Sequence, residues 1–427
     1  MAGSLAAGLV LALLLVIAPL VPAEGDSVLG VVLCGFAFGW AILAVLSTRF
    51  TNQPQRWAFA PALFMGAGGL LLLVLGSSVV LDWVWPPLLL ALVIWMAVRI
   101  RRDLRSRRGR WLLYPVLAVL VVFSVGGGYE NIQAASDEDY PMPGKLVDVG
   151  THSLHLNCTG SGGPTVVLQA GGGEMSSAFG WVAPTVAEQT RVCVYDRAGH
   201  GWSESAGTAQ DGAEIAADLH SLLEQGQEPG PYVLAGHSFG GLYTLVFADL
   251  FSDEVAGMVL VDTTAPASEP APQGTTSDDA APDAVDRVSA LLGTTARMGF
   301  GRLISGSDFG DLPARSRDEM RAAAATELQA RGTIEEYLKA GTSGGQAAWL
   351  EDFGSKPLVV LTAGVGTDAA WVERREELAR LSDESDHRLI EGADHSALIH
   401  DEEHAAATSD AVLDVVASVR GEEPLAR

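Results

Sequence analysis

Lysine is absent from the first 128 residues, and nowhere does the chain interleave basic residues with aromatics in a stripe. Those 128 residues hold nine arginines against four acids, a net of +5; the remainder carries 18 basic and 48 acidic residues, a net of −30 within a whole-chain charge of −25. An acidic body repels phosphate backbones, which speaks against nucleic acid as a partner. Cysteine is scarce: Cys34, Cys158 and Cys193 form no C-x-x-C, and the nine histidines form no metal-binding cluster. With no internal repeat either, neither a metal nor a cofactor is expected.

What the N-terminal third does have is apolar length. Five runs, about Leu5–Val21, Val28–Leu46, Trp57–Leu81, Trp83–Ile100 and Trp111–Gly127, each approach the length that crosses roughly 30 Å of hydrocarbon as a helix. Trp57, Trp83, Trp85 and Trp111 stand at run ends, where an indole suits the interface. Residues 1–128 therefore read as a membrane domain of about five helices. Arginines gather between the second and third runs (Arg49, Arg56) and between the fourth and fifth (Arg99 to Arg110), while the other loops hold only Glu24, Asp26 and Asp82. Positive loops stay inside, so the N-terminus is expected in the cytoplasm and everything after Gly128 on the extracytoplasmic side. The first run also fits a cleaved leader ending at VPA, although Met1 to Ser4 lacks a basic start; cleavage would leave the rest facing the same way. No ionisable residue lies deep in a run, so an anchor is the expected role.

Residues 129–144 are polar and acidic and read as a linker. Apolar strand-like runs follow at Lys145–Val149, Ser153–Cys158, Thr165–Gln169, Arg191–Tyr195, Tyr232–Ala235, Gly257–Val261, Pro357–Thr362 and His387–Ile390. Helical patterns such as Gly212–Gln225 alternate with them, which predicts an α/β fold, a mostly parallel doubly wound sheet. Residues 145–263 and 357–427 would form the two parts of this core. Between them, 264–356 show no strand signal but helical patterns near Val285–Met298, Arg315–Arg331 and Ile334–Leu350, after an Ala/Pro/Ser/Asp-rich start at Ala265–Pro282. That is too long for a connection and reads as a helical lid.

The chain is organised around YVLAGHSFGG, Tyr232 to Gly241. An apolar strand stops at Gly236, Ser238 follows at a sharp turn, and Gly240 and Gly241 precede a helical pattern. Small residues at Gly236 and Gly240 let the serine project its hydroxyl, and the amide of Phe239 then points at the reaction centre. A second G-x-S-x-G, at Gly341, Ser343 and Gly345, has no strand before it and reads as a loop. A serine needs a base, and the base needs a carboxylate. His395 lies in a loop after the last strand. His237, beside Ser238, should point away and pack; His387, His400 and His404 read as surface residues. Asp262 and Asp368 both satisfy the order serine, acid, histidine, and Asp262, at the end of a buried strand, is the better placed.

From about Lys145 to Arg420 the chain resembles the α/β-hydrolase superfamily, through QAGGGE, YDRAGHGWS, GHSFGG, LVD and GADHS in the family's order. The resemblance implies Ser238 as nucleophile, His395 as base, and an oxyanion hole from the amide of Phe239 plus one of Gly171, Gly172 and Gly173. Related dehalogenases and epoxide hydrolases use an aspartate nucleophile, against which Ser238 argues. In that fold the strands carrying Cys158 and Cys193 are neighbours, so the two form a disulfide candidate. The expected protein is a membrane-anchored serine hydrolase acting on a small, hydrophobic ester. A peptidase or acyltransferase with the same triad, and a non-catalytic receptor or scaffold keeping the fold, are the alternatives.

Overall fold

A computed structural model describes residues 2–77, 79–104, 106–136, 140–272, 284–305, 309 and 311–425. Parts of the expected linker (137–139), most of the Ala/Pro-rich start of the lid (273–283) and Arg105 of the arginine cluster lie outside them. The chain forms two compact units. The first comprises residues 1–137, 281–306 and 325–331, and the second comprises 138–280, 307–324 and 332–427. Residues expected as one lid, 264–356, thus divide between the units.

The first unit contains α1 (Ala2–Val16), α2 (Gly25–Phe50), α3 (Phe59–Leu75), α4 (Val79–Asp103) and α5 (Arg107–Ala134). Among the described residues four helices are long and apolar enough to cross a membrane: Gly25–Phe50, Arg56–Leu75, Leu81–Asp103 and Arg107–Ala134. The first of the five expected runs falls short. Its 15 residues span about 22 Å, because Pro19 and Pro22 offer no amide to continue the helix. α1 instead packs closely on α2. A side chain at Gly35 would stand 2.6 Å from the Ala12 backbone, and Gly39 faces Gly8 as tightly, the small-residue spacing through which membrane helices approach. Trp40, Met65, Met96 and Leu113 fill the interior, while Leu63 and Val74 on the outer faces are 73% and 76% exposed, as lipid-facing side chains would be.

The second unit is an eight-stranded sheet with β1 (Lys145–Asp148), β2 (Ser153–Thr159), β3 (Thr165–Gln169), β4 (Val192–Tyr195), β5 (Tyr232–His237), β6 (Val255–Val261), β7 (Leu358–Ala363) and β8 (Ser385–Ile390). Their order is β1-β2-β4-β3-β5-β6-β7-β8; β1 and β2 pair antiparallel and all strands from β4 onward run parallel. β3, β4, β5 and β7 are buried throughout, as continuous apolar runs in a parallel sheet require. α6 (Val182–Ala187), α7 (Gly212–Gly226) and α8 (Phe239–Leu250) follow β3, β4 and β5, and α9 (Ala284–Gly293), α10 (Phe300–Ser305), α11 (Ala314–Ala324) and α12 (Glu327–Ala347) lie in the long segment after β6. α13 (Ala369–Ala379), α14 (Ala397–His400) and α15 (Glu402–Val419) complete the chain. Leu219 of α7 and Leu242 of α8 cover the sheet face bearing Val167, Leu234 and Met258. Val182 of α6 and Val412 of α15 cover the opposite face, bearing Val166, Val233 and Val259.

Gly341, Ser343 and Gly345 are not a loop. They occupy the last turns of α12, with Ser343 buried. The final carbonyls of a helix lack intrahelical partners, and here the amides of Ala267 and Ala271 donate to Gly344 and Gly345 at 2.9 Å each. The missing side chains at 344 and 345 let that backbone come close.

Candidate functional site

Ser238 sits between β5 and α8 with φ 54° and ψ −118°, a conformation strained for any residue with a side chain. The turn is fastened by the Ser238 amide donating to Val261 O at 3.0 Å, and by Ser238 O accepting from Thr264 N at 3.1 Å. A side chain at Gly236 would strike Gly240 O, and one at Gly240 would strike Gln169 O. The glycines of GHSFGG are therefore steric necessities of this turn.

Asp262 follows β6, at φ 40° and 2% exposed. His395, in the loop after β8, brings Nδ1 to 2.5 Å from Asp262 Oδ2, with its side chain 47% exposed. A carboxylate only accepts, so Nδ1 carries the proton and Nε2 keeps its lone pair. Asp262 Oδ1 accepts from Trp371 Nε1 at 3.1 Å, and Arg375 Nε lies 3.9 Å away. Burial pushes the Asp262 carboxyl up, but the hydrogen bonds from His395 and Trp371 and the charges of His395 and Arg375 outweigh it and hold it below the ordinary range. Asp368 is elsewhere: it caps α13, accepting from Trp371 N at 2.8 Å. Of the two candidate acids, only Asp262 meets His395. Ser238 Oγ has no hydrogen-bond partner among the described residues, His395 included. The contact between such a pair is often long until substrate is bound.

His237 is buried and packs against its neighbours, as expected. Its Nε2 donates to His395 O at 3.0 Å and its ring centre lies 4.6 Å from that of His395. Its Nδ1 faces Glu174 Oε2 at 3.4 Å. His400, expected at the surface, is instead buried with Nε2 3.2 Å from Glu174 Oε1; the short α14 turns it inward. Burial pushes Glu174 up, yet His237 and His400 together hold it well below the usual carboxylate range.

Two of the three amides in the Gly171–Gly173 loop are committed. Gly171 N donates to Glu174 Oε2 at 2.8 Å and Gly173 N to Glu336 Oε2 at 2.7 Å. Gly172 lies flat on Phe239, where a Cβ would come within 2.6 Å of the ring. The loop's carbonyls are held as well: Arg197 donates to Ala170 O at 2.8 Å and Gly171 O at 2.7 Å, and pairs with Glu336 at 2.5 Å. Sequence reasoning quoted Glu174 and Arg197 inside motifs without giving them a part, and Glu336, Trp371 and Arg375 carried no signal at all.

Cys158 and Cys193 are paired positions of β2 and β4 and form a disulfide. Cys34 is free.

An uncharacterized protein of Schizosaccharomyces pombe is 43% identical over 81 residues, 19% of this chain and 15% of its own length. An uncharacterized vacuolar membrane protein of Saccharomyces cerevisiae is 28% identical over 135 residues, 26% of this chain and 20% of its own. These curated relatives are thus matched over a fifth of their length or less. Among solved structures, an epoxide hydrolase aligns at TM-score 0.50 and 19% identity, covering 65% of this chain and 99% of that one, which speaks to the fold. Residues 164–401, more than half of the chain, match the model for the alpha/beta hydrolase fold, and with the sheet order and the strained serine turn already in view, the chain belongs to the α/β-hydrolase fold family.

Proposed function

We propose that the chain is a membrane-anchored serine hydrolase that cleaves a carboxylic ester through an acyl-enzyme. The observation that carries this reading is the 2.5 Å contact of His395 Nδ1 with Asp262, which leaves Nε2 with its lone pair to accept a proton. Ser238 Oγ attacks the ester carbonyl carbon while Nε2 takes the hydroxyl proton. The carbonyl oxygen gains the negative charge. Phe239 heads α8, where first-turn amides have no intrahelical acceptor, and Gly172 N is the amide of its loop not committed to a carboxylate. These two are the donors assigned to that oxyanion, the term that is often largest in acyl transfer. As the tetrahedral adduct collapses, the alcohol leaves with the proton from Nε2. A water then gives its proton to Nε2, attacks the acyl carbon, and Ser238 recovers its hydrogen as the acid departs.

The second unit is assigned to the extracytoplasmic side. Its disulfide is the kind of bond that persists in oxidising compartments, and the arginines at the α4–α5 connection mark the cytoplasmic side.

A fluorophosphonate probe applied to membranes tests the reading. The wild type should label and Ser238→Ala should not, and a panel of esters, amides and acyl acceptors should show ester cleavage to water as the fastest reaction. Labelling that survives Ser238→Ala, or transfer faster than hydrolysis, would overturn it.

A further inference from the structure

The first unit holds an open-sided cavity of about 1050 Å³ lined by all five of its N-terminal helices. This is at the upper end of what small-molecule sites occupy. Its walls are sorted by polarity. Leu9, Phe36, Trp40, Phe64, Val116 and Leu120 line the part within the helices. The polar lining comes entirely from one end, where α3 stops, α4 starts and α5 finishes, and from residues 294–297 and 326–327 of the same unit: Asp82, Glu130, Asn131, Thr295, Arg297 and Glu327. Leu29 and Trp40 of α2 both touch the cavity, giving an apolar length of about 16 Å along that helix, enough for one extended alkyl chain.

The charges at the polar end are unequal. Arg297 is shared between Asp26 at 2.7 Å and Glu327 at 2.5 Å, and Arg302 binds Glu130 at 2.9 Å. Asp82 is exposed and has no ion pair among the described residues. Of the four carboxylates Asp26, Asp82, Glu130 and Glu327, three are paired with Arg297 or Arg302 and the Arg331 charge also acts on Glu327, so that among the described residues Asp82 is the one of the four without an ion pair. An apolar slot ending beside the unpaired carboxylate of Asp82 matches an amphiphile with a hydrocarbon tail and a cationic head, and repels one with an anionic head.

We propose that this cavity is a binding site for a single-chain amphiphile with a cationic head group, taken from the surrounding lipid. The site does not depend on Ser238 or on the hydrolase reading.

The test uses the full chain in lipid nanodiscs and a long-chain alkylamine with a diazirine in mid-chain, with cross-linked residues located by mass spectrometry. Labelling should saturate and fall on cavity-lining residues of α2 and α5. Unlabelled octadecylamine should displace the probe, while stearic acid and monostearoylglycerol should compete roughly fivefold less well or worse, the scale of one partly exposed charge contact. Asp82→Asn should erase most of that preference. Val119→Trp and, independently, Leu33→Trp, both at the cavity wall, should cut labelling severalfold, whereas Leu63→Trp on the exposed outer face should not; two separate fillings guard against one variant misfolding. Unsaturable labelling spread over the outer faces would reduce the cavity to ordinary lipid contact. Equal competition by amine and fatty acid would overturn the choice of head group, and undiminished labelling in both filled variants would overturn the site.

Discussion

The Arg375 guanidinium lies 3.6 Å from the centre of the Trp371 ring, and that ring donates its Nε1–H to Asp262, the carboxylate that holds His395. All three guanidinium nitrogens of Arg375 are buried with no hydrogen-bond partner among the described residues, and burial pushes its pKa down to about 10. The contacts that favour this cation are the face of the Trp371 ring and the charge of Asp262.

Replacing Arg375 by methionine should therefore leave the fold intact or stabilise it, since a buried charge is exchanged for apolar volume. The carboxyl of Asp262 loses a positive neighbour and moves up. Because its pKa lies below the ordinary 3.8, the stability it contributes is present above that value and is lost as pH falls through the lower folded value. In Arg375→Met this loss should be smaller and should be complete at a higher pH, because only the folded value moves up towards the unfolded one. Tm measured between pH 3 and 7 checks the shift, and Arg375→Lys should restore part of it.

Ser238 stores strain at a positive φ. Ser238→Gly should abolish activity, by about 10³-fold or more, while raising stability by about 1 kcal/mol as φ 54° becomes unstrained. Ser238→Ala should be equally inactive without that gain. Calorimetry on the two variants separates strain relief from loss of the hydroxyl.

The strands, the serine turn and the His395–Asp262 pair were legible because their signals are local. Thr165–Gln169 and Leu358–Ala363 are short apolar runs whose period needs no partner, and GHSFGG and GADHS place Ser238 and His395 by turn chemistry. Asp262 and Asp368 could be ranked by strand position but were separated only by the turn that α13 takes after Asp368. Glu336 was invisible for a different reason. Its meaning is a contact with Gly173, 163 residues away, on a helix whose pattern announces only that it is a helix. The Gly341–Gly345 helix misled because glycine's low propensity was outweighed by the backbone of 267–271 packing against it, and α1 because hydropathy counts residues without noticing that two prolines end the helix.

Glu336 supports the loop that offers Gly172. Burial raises its pKa, but Arg197 and His200 bring it down to about 2. A depressed carboxylate contributes stability above its ordinary 4.5 that disappears as pH falls towards 2. Glu336→Ala should cost about 3–5 kcal/mol, because Arg197 is left buried without its partner. Glu336→Gln, whose single amide oxygen can accept from Arg197 or from Gly173 N but not from both, should cost less than the alanine, flatten the acid limb of stability between pH 4.5 and 2, and lower kcat more than it raises KM. A loss confined to KM would show that the donor proposed at Gly172 does not depend on this carboxylate.

The disulfide joins β2 to β4 across 35 residues of sequence, a span that contains β3 and α6. Closing a loop of that size in the unfolded chain stabilises the fold by about 2–4 kcal/mol. Cys158→Ala with Cys193→Ala should lower Tm by several degrees and leave activity at temperatures below the transition near its original value, since neither sulfur approaches Ser238 through any described contact. The same pair reports topology. If the second unit faces the extracytoplasmic side, protein made in cells lacking an oxidising route outside the cytoplasm should carry two free thiols there and show the lower Tm of the double variant. A disulfide formed equally well in such cells would remove this support for the outward orientation and leave the arginine bias of the α4–α5 connection to stand alone.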